Sequence, residues 1–453
     1  GHFAFGETAK ESYDQIILHT QAVADYLKME NPTNLFTRNP HKASDVFPII
    51  RGLIGDMVGP NSPMPIMDLR NGKDELQFLK RNDLEELSTR GTASPDHVIR
   101  IKGRPLVLKE SVWSRGREAI KEELDKYAKE YKAMFERQAP QADQPKTMLP
   151  TDPKNIWMEG IGLIGLGANA KAASIAGDLV VQNARVRAIG EDAGGFRPIS
   201  EKDLFDCEYW SLEQAKLGKG APPKFQGQIV MITGGSGTIG FAIAKAFSML
   251  GAQTILVDKD ETALKKAVTK LGVGHRYFPI DVTDTDAAKQ AMLAAIHNFG
   301  GLDILISNAG GAHAGPMLDI SNEELRNAFE LNFFSHYSFS TEAAKILHNQ
   351  NRGGQILFNI SKQAVNPGKN FGAYGLPKAT TFFLMRQLAL ELGSDGIRVN
   401  GINADRIRSG LLTDDFISSR AKSRGVSESE YMAGNLLNKE VTAEHVADAF
   451  TAL

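Results

Sequence analysis

Tyr374 and Lys378 stand four residues apart in the segment YGLPK, where a helical pattern begins. In a helix this spacing places both side chains on one face. The pKa of a free tyrosine is about 10, too high for a base at neutral pH, but a nearby ammonium and a helix N-terminus both favour the phenolate. We therefore predict that Tyr374, with a lowered pKa, takes the hydroxyl proton of an alcohol as a hydride leaves for a nicotinamide.

Two polar residues upstream are suited to the same reaction. Ser361 lies thirteen residues before Tyr374, at the end of the strand pattern QILFNI, where its hydroxyl can bind the substrate oxygen. Asn332 lies within a helical pattern although asparagine is a poor helix former, which indicates a polar task such as holding a water. Each residue also has an ordinary structural explanation, for example a solvated charge for Lys378. Their joint occurrence is what favours a catalytic set.

A glycine pattern precedes these residues. TGGSGTIG, residues 233–240, follows the apolar run QIVMI and opens the helical pattern FAIAKAFSML. A glycine turn in this context lets the first amides of a helix bind a pyrophosphate. The next strand pattern ends at Asp258, where a carboxylate binds ribose hydroxyls and repels a 2′-phosphate. We predict a dinucleotide site that prefers NAD; the alternative is a turn that needs only small residues.

A second glycine pattern, GIGLIGLG at residues 160–167, lacks this context. Only the weak strand pattern NIWME precedes it, and the later run RVRAIG is basic and supplies no carboxylate. We interpret residues 160–167 as a glycine-rich turn that lets the backbone pack closely before the helical pattern of residues 169–185. A second nucleotide site is the alternative.

The halves of the chain differ in organisation. From residue 226 to 453, apolar strand patterns alternate with helical ones, which predicts an α/β domain with a doubly wound parallel sheet. The breaker-rich segment 219–225, KGAPPKF, is predicted to be a linker. Residues 1–218 are less regular. They contain helical patterns at 11–29 and 117–138, a strand-and-turn pattern at 96–108 and a proline-rich loop at 138–155.

The composition limits the classes of binding partner and the cellular compartment that we expect. The chain has 453 residues, 42% of them hydrophobic, and a formal net charge of -2, so nothing in it favours nucleic acid or an acidic membrane. The single cysteine, Cys207, cannot form an internal disulfide, and no apolar run is long enough to span a bilayer. We expect a cytoplasmic protein whose partner is a small-molecule substrate.

Residues 226–453 resemble the short-chain dehydrogenase/reductase superfamily, with its Rossmann-type sheet. The resemblance rests on TGGSGTIG, on VD at 257–258, DVTD at 281–284 and NAG at 308–310, and on the Tyr374–Lys378 spacing. It implies that four residues form the catalytic tetrad: Asn332, Ser361, Tyr374 and Lys378. It also implies pairing of copies through the long helices, hence a homodimer or homotetramer. The residues expected to bind the cofactor are Gly234, Ser236, Gly237, Thr238, Ile239, Gly240, Asp258, Asp281, Val282, Asn308, Ala309 and Gly310.

Three departures from the family pattern are visible. Thr238 occupies the place of the usual middle glycine, although Gly237 is adjacent. The usual NISS segment is NISK here, so that Ser361 keeps its distance from Tyr374 but matches the first serine. NADRIRSG, residues 403–410, replaces the usual Pro-Gly after the sixth strand.

The N-terminal half resembles part of another known protein type. GHFAFGETAKESYD, RGTASPDHVIRIKGRPL and CEYWSLEQAKL are similar to segments of bacterial fusions of a class II aldolase/adducin domain to a dehydrogenase, of which rhamnulose-1-phosphate aldolase/alcohol dehydrogenases are examples. This likeness supports a structural role for GIGLIGLG and indicates carbohydrate metabolism.

Aldolase chemistry of that class needs a metal, usually held by an H-x-H pair and a third histidine. The histidines of the N-terminal half are His2, His19, His41 and His97, and none of them forms an H-x-H pair. We therefore predict no metal site and interpret His97 as structural. Because the family's third histidine would fall just before Gly1, we expect the chain to lack the metal-binding portion of a longer fusion. We also expect it to lack the last strand of the dehydrogenase sheet.

The segment 405–437 corresponds to the substrate lid of the family. Arg406 and Arg408 in it are candidates to anchor a phosphate or carboxylate, or else they bond Asp414, Asp415 or the backbone. We expect a small hydroxylated substrate: a sugar, a sugar-derived alcohol or aldehyde, or a hydroxy acid. The alternatives are a metal-dependent aldolase fused to a dehydrogenase that acts on its product, and a nucleotide-binding scaffold without catalysis.

Overall fold

The structure is a computed structural model that describes residues 4–26, 44–59, 62–211, 221–312 and 314–453. It contains two β-sheets. A mixed four-stranded sheet has the order β1-β4-β3-β2, and a six-stranded sheet has the order β10-β9-β8-β5-β6-β7. The strands are β1 Ile66–Arg70, β2 Leu106–Leu108, β3 Asn155–Met158, β4 Gly162–Gly167, β5 Ile229–Thr233, β6 Gln253–Asp258, β7 Arg276–Pro279, β8 Ile304–Ser307, β9 Gly354–Asn359 and β10 Ile397–Ile402.

The six-stranded sheet is parallel throughout. Val230 of β5 pairs with Thr254 of β6 on one side and with Ile304 of β8 on the other. The central strands are buried on both faces, as their apolar sequences predict. Strand order reverses between β5 and β8, and in open parallel sheets ligands bind at the carboxyl ends of the strands beside such a switch point. The predicted doubly wound fold is confirmed.

Several α-helices pack against the two sheets, and the described residues contain eighteen α-helices in all. They are α1 Ala9–Tyr26, α2 Phe47–Val58, α3 Lys73–Phe78, α4 Leu84–Ser88, α5 Pro95–Ile101, α6 Glu110–Trp113, α7 Arg117–Gln138, α8 Ala170–Asp192, α9 Glu201–Glu208, α10 Thr238–Met249, α11 Glu261–Leu271, α12 Ala287–Phe299, α13 Asn322–Phe329, α14 Ser335–Gln350, α15 Gly372–Leu392, α16 Asp414–Arg424, α17 Glu428–Met432 and α18 Ala443–Ala452. Within the described ranges, no helix is long and apolar enough to cross a membrane.

The glycine pattern GIGLIGLG is a strand rather than the turn that the sequence indicated. Residues 162–167 form β4, which pairs antiparallel with both β1 and β3. A Cβ on Gly165 would collide with the backbone of Gly177, and one on Gly167 with that of Ala173, both in α8. The glycines therefore allow α8 to lie directly on the strand, so the close backbone packing that we predicted is present.

The strand-and-turn prediction at 96–108 was wrong in its first part. Residues Pro95–Ile101 form α5, and only Leu106–Leu108 form a strand. The β-branched residues Val98, Ile99 and Ile101 suggested a strand, but they are buried in the helix, where tertiary packing outweighs propensity. Pro95 at the first helical position is the local signal that favoured the helix.

The helical pattern that contains Asn332 does not form one regular α-helix. A π-helical turn at residues 330–334 separates α13 from α14 and contains Asn332. Asn332 uses its amide to donate to the carbonyl oxygens of Ala328 (3.1 Å) and Gly311 (2.9 Å), the second outside the helix. Single π-turns of this kind occur often at functional sites.

Helix α2 joins the two halves. Arg51 in α2 is fully buried and forms a two-point ion pair with Asp303, which precedes β8, with N–O distances of 2.8 and 2.7 Å. A Cβ on Gly52 would collide with the carbonyl of Gln350 at the end of α14. One continuous apolar core includes Phe47 and Ile50 of α2 together with Phe299 of α12. The halves are therefore packed against each other as one body at this point.

Candidate active site

A cavity of about 780 Å³ opens at the carboxyl ends of the parallel strands. One end is lined by the glycine loop after β5 and by Asp258 at the end of β6. The other end is lined by Ser361, Tyr374 and residues of the segment 405–437, which we call the lid. The cavity thus connects the predicted nucleotide-binding residues with the predicted catalytic residues.

The glycine loop has the geometry of a phosphate-binding turn. Gly234 has φ +63°, a left-handed conformation that favours glycine. A Cβ on Gly240 would collide with the Gly234 carbonyl oxygen, so that side chains are excluded where the loop meets α10. Helix α10 begins at Thr238 with Gly237 at its N-cap, and both residues line the cavity. Thr238, the departure from the family pattern, is thus the first residue of the helix.

Hydrogen bonds of Asp258 connect the end of strand β6 to this glycine loop. One carboxylate oxygen accepts hydrogen bonds from the Ser236 amide (3.2 Å) and hydroxyl (2.7 Å). The other oxygen accepts from the amide of Lys259 at 2.8 Å. The side chain remains partly accessible and lines the cavity. Its negative charge therefore stands beside the glycine loop at the place predicted from the sequence.

The remaining predicted cofactor residues also gather here. Burial raises the pKa of Asp281, but the hydrogen bonds that its carboxylate accepts from the Thr283 amide and hydroxyl, together with the charge of Lys259, outweigh this effect and leave the pKa lowered. Asn308 donates from its backbone to the Thr233 hydroxyl at 2.9 Å. The whole predicted set other than Ser236 lines the cavity: Gly234, Gly237, Thr238, Ile239, Gly240, Asp258, Asp281, Val282, Asn308, Ala309 and Gly310.

Tyr374 is placed as predicted, but its pKa differs from the expectation. Burial raises the pKa of Tyr374, and a hydrogen bond with Ser361 opposes the rise. The sequence argument counted the charge of Lys378 and the helix N-terminus and left out the loss of water around the phenol. In the protein alone this desolvation is the larger effect.

Lys378 lies below Tyr374, its Nζ 5.9 Å from the centre of the tyrosine ring. The ammonium is fully buried and donates to the carbonyl oxygen of Asn359 (3.1 Å) and to Nε2 of His336 (3.3 Å). Burial lowers the pKa of Lys378 to about 7. A modest change in its surroundings therefore decides whether this lysine is charged at neutral pH.

His336 belongs to this group, and the sequence analysis missed it. Its Nδ1 lies 2.6 Å from the Ser307 hydroxyl while Nε2 accepts from Lys378. Burial, reinforced by the charge of Lys378, lowers the pKa of His336 well below its usual value, so the ring is neutral. His336 follows Asn332 by four residues on one continuous helical segment. That spacing was the signal that could have revealed it.

Asn332 holds backbone in place. Its Oδ1 accepts from the Gly311 amide at 3.2 Å, and its main-chain oxygen accepts from the hydroxyl of Thr381 at 2.6 Å. A Cβ on Gly310 would stand 2.9 Å from that Oδ1 and 3.4 Å from Nζ of Lys378. Asn332 therefore fixes the loop after β8 against the helix that carries Lys378. Its predicted role in holding a water remains a prediction.

The two arginines predicted to anchor substrate have partners within the protein. Arg406 lines the cavity, but its guanidinium donates to the carbonyl oxygens of Tyr431 and Gly434. Arg408 is bound to Asp414 (2.6 Å) and Glu440 (2.8 Å) and is not among the residues that line the cavity. These are the contacts of the structural alternative, in which both side chains stabilise the lid.

The predicted structural role of His97 agrees with its position. The ring is buried in α5 with Nδ1 2.7 Å from the Ser94 hydroxyl, and burial lowers its pKa. His2 and His41 lie outside the described residues.

Comparison with known proteins agrees with this geometry. Residues 228–416 match the family described as short chain dehydrogenase, and residues 41–217 match the family described as aldolase class II, second domain. The 7alpha-hydroxysteroid dehydrogenase of Escherichia coli strain K12 is 35% identical over 182 residues, which cover 40% of this chain and 71% of that enzyme. The chain belongs to the short-chain dehydrogenase family.

Other relatives extend the comparison. The uncharacterized oxidoreductase YuxG of Bacillus subtilis strain 168 is 28% identical over 477 residues, which cover 99% of this chain and 68% of YuxG. The solved structure of a short-chain type dehydrogenase/reductase from Mycobacterium ulcerans has a TM-score of 0.46 and 29% identity, over 51% of this chain and 83% of that one. The predicted resemblance to an aldolase-domain fusion with a short-chain dehydrogenase is confirmed by the two family matches.

Proposed function

We propose that this short-chain dehydrogenase transfers a hydride between NAD and a small hydroxylated substrate, with Tyr374 as general acid and base. The observation that supports it most strongly is the single cavity, which runs from the glycine loop and Asp258 to Ser361, Tyr374 and Lys378. A scaffold that only bound a nucleotide would not need a buried lysine beside a partly buried tyrosine.

The residues present fit a dinucleotide. Gly234 and Gly240 leave room where a side chain would fill the loop, and the first turn of α10 supplies amides for a pyrophosphate. Asp258 offers an acceptor for ribose hydroxyls, and its charge disfavours a 2′-phosphate, which supports NAD over NADP. A bound nicotinamide would accept the hydride from the alcohol carbon, or return it in the reverse direction.

Side chains of the protein then transfer one proton. In the oxidative direction the phenolate of Tyr374 takes the hydroxyl proton, while the Ser361 hydroxyl binds the same substrate oxygen. Burial opposes the phenolate of Tyr374, whereas a positive charge on Lys378, with Nζ 5.9 Å from the ring centre, favours it. His336 and the carbonyl of Asn359 hold the ammonium in its position.

Three wider features complete the proposal. Residues 226–453 act as the dehydrogenase domain behind an aldolase-like region, 1–218, and a linker, 219–225. The protein works in the cytoplasm as a homo-oligomer. Exposed apolar side chains on α14, α15 and the π-helical turn support a contact between copies: Phe334, Tyr337, Leu376, Phe383 and Leu390.

The test combines binding with turnover. NAD and NADP are titrated by calorimetry, and absorbance of the reduced cofactor is followed with a panel of sugars, polyols, aldehydes and hydroxy acids. We expect NAD binding, turnover of at least one member, and loss of turnover in Tyr374→Phe with NAD binding retained. NAD binding without turnover of any member would favour the non-catalytic scaffold, and absence of binding would refute the proposal.

A further inference from the structure

Helix α16 of the lid carries an arginine, Arg420, that has no carboxylate or carbonyl partner among the described residues. The guanidinium of Arg420 lies 5.5 Å from the ring centre of Phe371, and its Nε is buried without a hydrogen-bond partner. Within the described ranges, no carboxylate forms an ion pair with it. Because burying an unpaired donor costs free energy, its retention beside a cavity needs an explanation.

The lid fixes Arg420 close to the reacting groups. Ile417 and Ala421 on the same helix are buried in a small apolar cluster with residues of α17. The ring of Phe371 packs edge-on against Phe416 of α16 with centroids 6.3 Å apart, and Phe371 precedes Tyr374 by three residues. Arg420 and Tyr374 line the same cavity. The cavity thus gives a molecule bound at Tyr374 an open connection to this guanidinium.

The charges around that end of the cavity are unbalanced. The side chains of the lid and of the segment after β9 contribute four cations and one carboxylate: Lys362, Arg406, Arg420, Arg424 and Asp405. Lys362 is paired with Asp405 at 2.8 Å, and Arg406 is bound to lid carbonyls. Arg424 stacks over the ring of Tyr431 at 5.3 Å. The surplus positive charge attracts an anion. Within the described ranges neither Arg420 nor Arg424 has a carboxylate or carbonyl partner, and the buried, unbonded Nε distinguishes Arg420.

We propose that Arg420 forms an anion-binding subsite for the substrate, which carries a carboxylate or a phosphate in addition to the hydroxyl that Tyr374 deprotonates. This inference rests on the proposed function and narrows its substrate class. The guanidinium suits both anions because its parallel N–H groups match two of their oxygens. The subsite replaces the anchoring role that the sequence suggested for Arg406 and Arg408.

The test compares matched substrates in the full chain. The values of kcat/KM with NAD are measured for lactate against propane-1,2-diol, glycerol 3-phosphate against glycerol, and ribose 5-phosphate against ribose. The variants are Arg420→Gln, Arg420→Lys and, as a control, Lys422→Gln, which removes one charge from an exposed position of the same helix. We expect Arg420→Gln to lower kcat/KM for the anionic members about 10- to 100-fold and to change the neutral ones by less than about twofold. Lys422→Gln should match the unmodified protein.

A binding measurement separates this inference from the proposed function. Inorganic phosphate and acetate are titrated by calorimetry into the protein saturated with NAD, or into the protein alone if NAD does not bind. A Kd at least tenfold weaker in Arg420→Gln than in Lys422→Gln supports the subsite even if no compound is turned over, and the preferred anion identifies carboxylate or phosphate. Equal losses for anionic and neutral substrates, or anion binding that does not depend on Arg420, would overturn the inference while NAD turnover stood.

Discussion

Nε2 of His336 lies 3.3 Å from Nζ of Lys378, so a neutral imidazole accepts a hydrogen bond from the buried ammonium below Tyr374. The other ring nitrogen lies 2.6 Å from the Ser307 hydroxyl, within hydrogen-bond distance. Strand β8 and helix α14 thereby supply a support for Lys378 that comes from neither the glycine loop nor α15. This relationship makes His336 a positioning residue for the reaction.

Replacing His336 should change the pH dependence of turnover. In His336→Leu the ammonium loses one of its two acceptors, so the pKa of Lys378 should fall further below about 7. The limb of the pH–kcat profile that requires charged Lys378 should then move about one unit toward acid, since a charged hydrogen bond contributes about 1.5 kcal/mol or more. His336→Gln, which keeps an acceptor, should retain the limb near its original position. An unmoved limb in the leucine variant would contradict the positioning role.

Lys378→Met should abolish turnover and stabilise the fold at neutral and lower pH. Burial lowers the pKa of Lys378 from 10.5 to about 7 in the folded state, so the unfolded state binds one more proton between these values. The unmodified protein therefore gains stability from this group as pH rises through that window, by about 1.4 kcal/mol per unit at most. The stability advantage of the methionine variant should be largest below pH 7 and shrink toward pH 10.5.

Urea unfolding of both proteins at pH 6.5, 8 and 9.5 measures that difference. Lys422→Met provides the control, because Lys422 is exposed and its replacement should leave the pH dependence unchanged. A constant difference between Lys378→Met and the unmodified protein at all three pH values would show that Lys378 is not desolvated as the structure indicates.

Asp258→Ser should relax the preference for NAD. The carboxylate beside Ser236 is the negative charge at the edge of the glycine loop that would repel a 2′-phosphate. Its removal should raise KM for NAD roughly tenfold, the loss of one or two charge-assisted hydrogen bonds, and should allow turnover with NADP. Asp284→Ser removes an exposed carboxylate that does not line the cavity and serves as the control. If the ratio of kcat/KM for the two cofactors stays unchanged in Asp258→Ser, Asp258 does not select the cofactor.

Breaking the buried pair between Arg51 and Asp303 should destabilise the whole chain. All five N–H groups of Arg51 have acceptors, which are Asp303 twice, Gln350, and the carbonyls of Pro65 and Gly227. Arg51→Met leaves the Asp303 carboxylate with the Ile229 amide as its remaining donor among the described residues and should cost about 3–5 kcal/mol.

Denaturant unfolding of Arg51→Met, Asp303→Asn and the double variant tests this coupling. The double variant should lose less free energy of unfolding than the sum of the single variants, because each single change leaves a buried group without its partner. Additive losses would mean that the pair contributes packing alone. We also expect Arg51→Lys to be costly, since an ammonium cannot reproduce the two-point contact.

Local patterns predicted much of the fold. The amphipathic pattern of 117–138 gave α7 with the observed bounds, and the strand pattern predicted to end at Asp258 gave β6 with that end. Near-continuous apolar strands and glycine-bounded helices are properties that neighbouring residues set on their own. GIGLIGLG was predicted as a turn and forms a strand, because its glycines serve contacts with α8, a partner that the local sequence does not reveal.

The active site, like the fold, could be predicted from the sequence only in part. Residue types and spacing identified Tyr374, Lys378, Ser361, Asp258 and the glycine loop, since the order of strand, turn and helix fixes where these groups emerge. The sequence alone determined a doubly wound dehydrogenase domain and the members of its reactive set. Only the tertiary structure showed that burial governs the pKa of Tyr374 and Lys378 and that His336 supports the lysine. It also showed that Arg406 and Arg408 have acceptors within the protein, whereas the guanidinium of Arg420 has none among the described residues. Solvent exclusion and charge pairing depend on groups brought together from distant parts of the chain, and no local pattern encodes them.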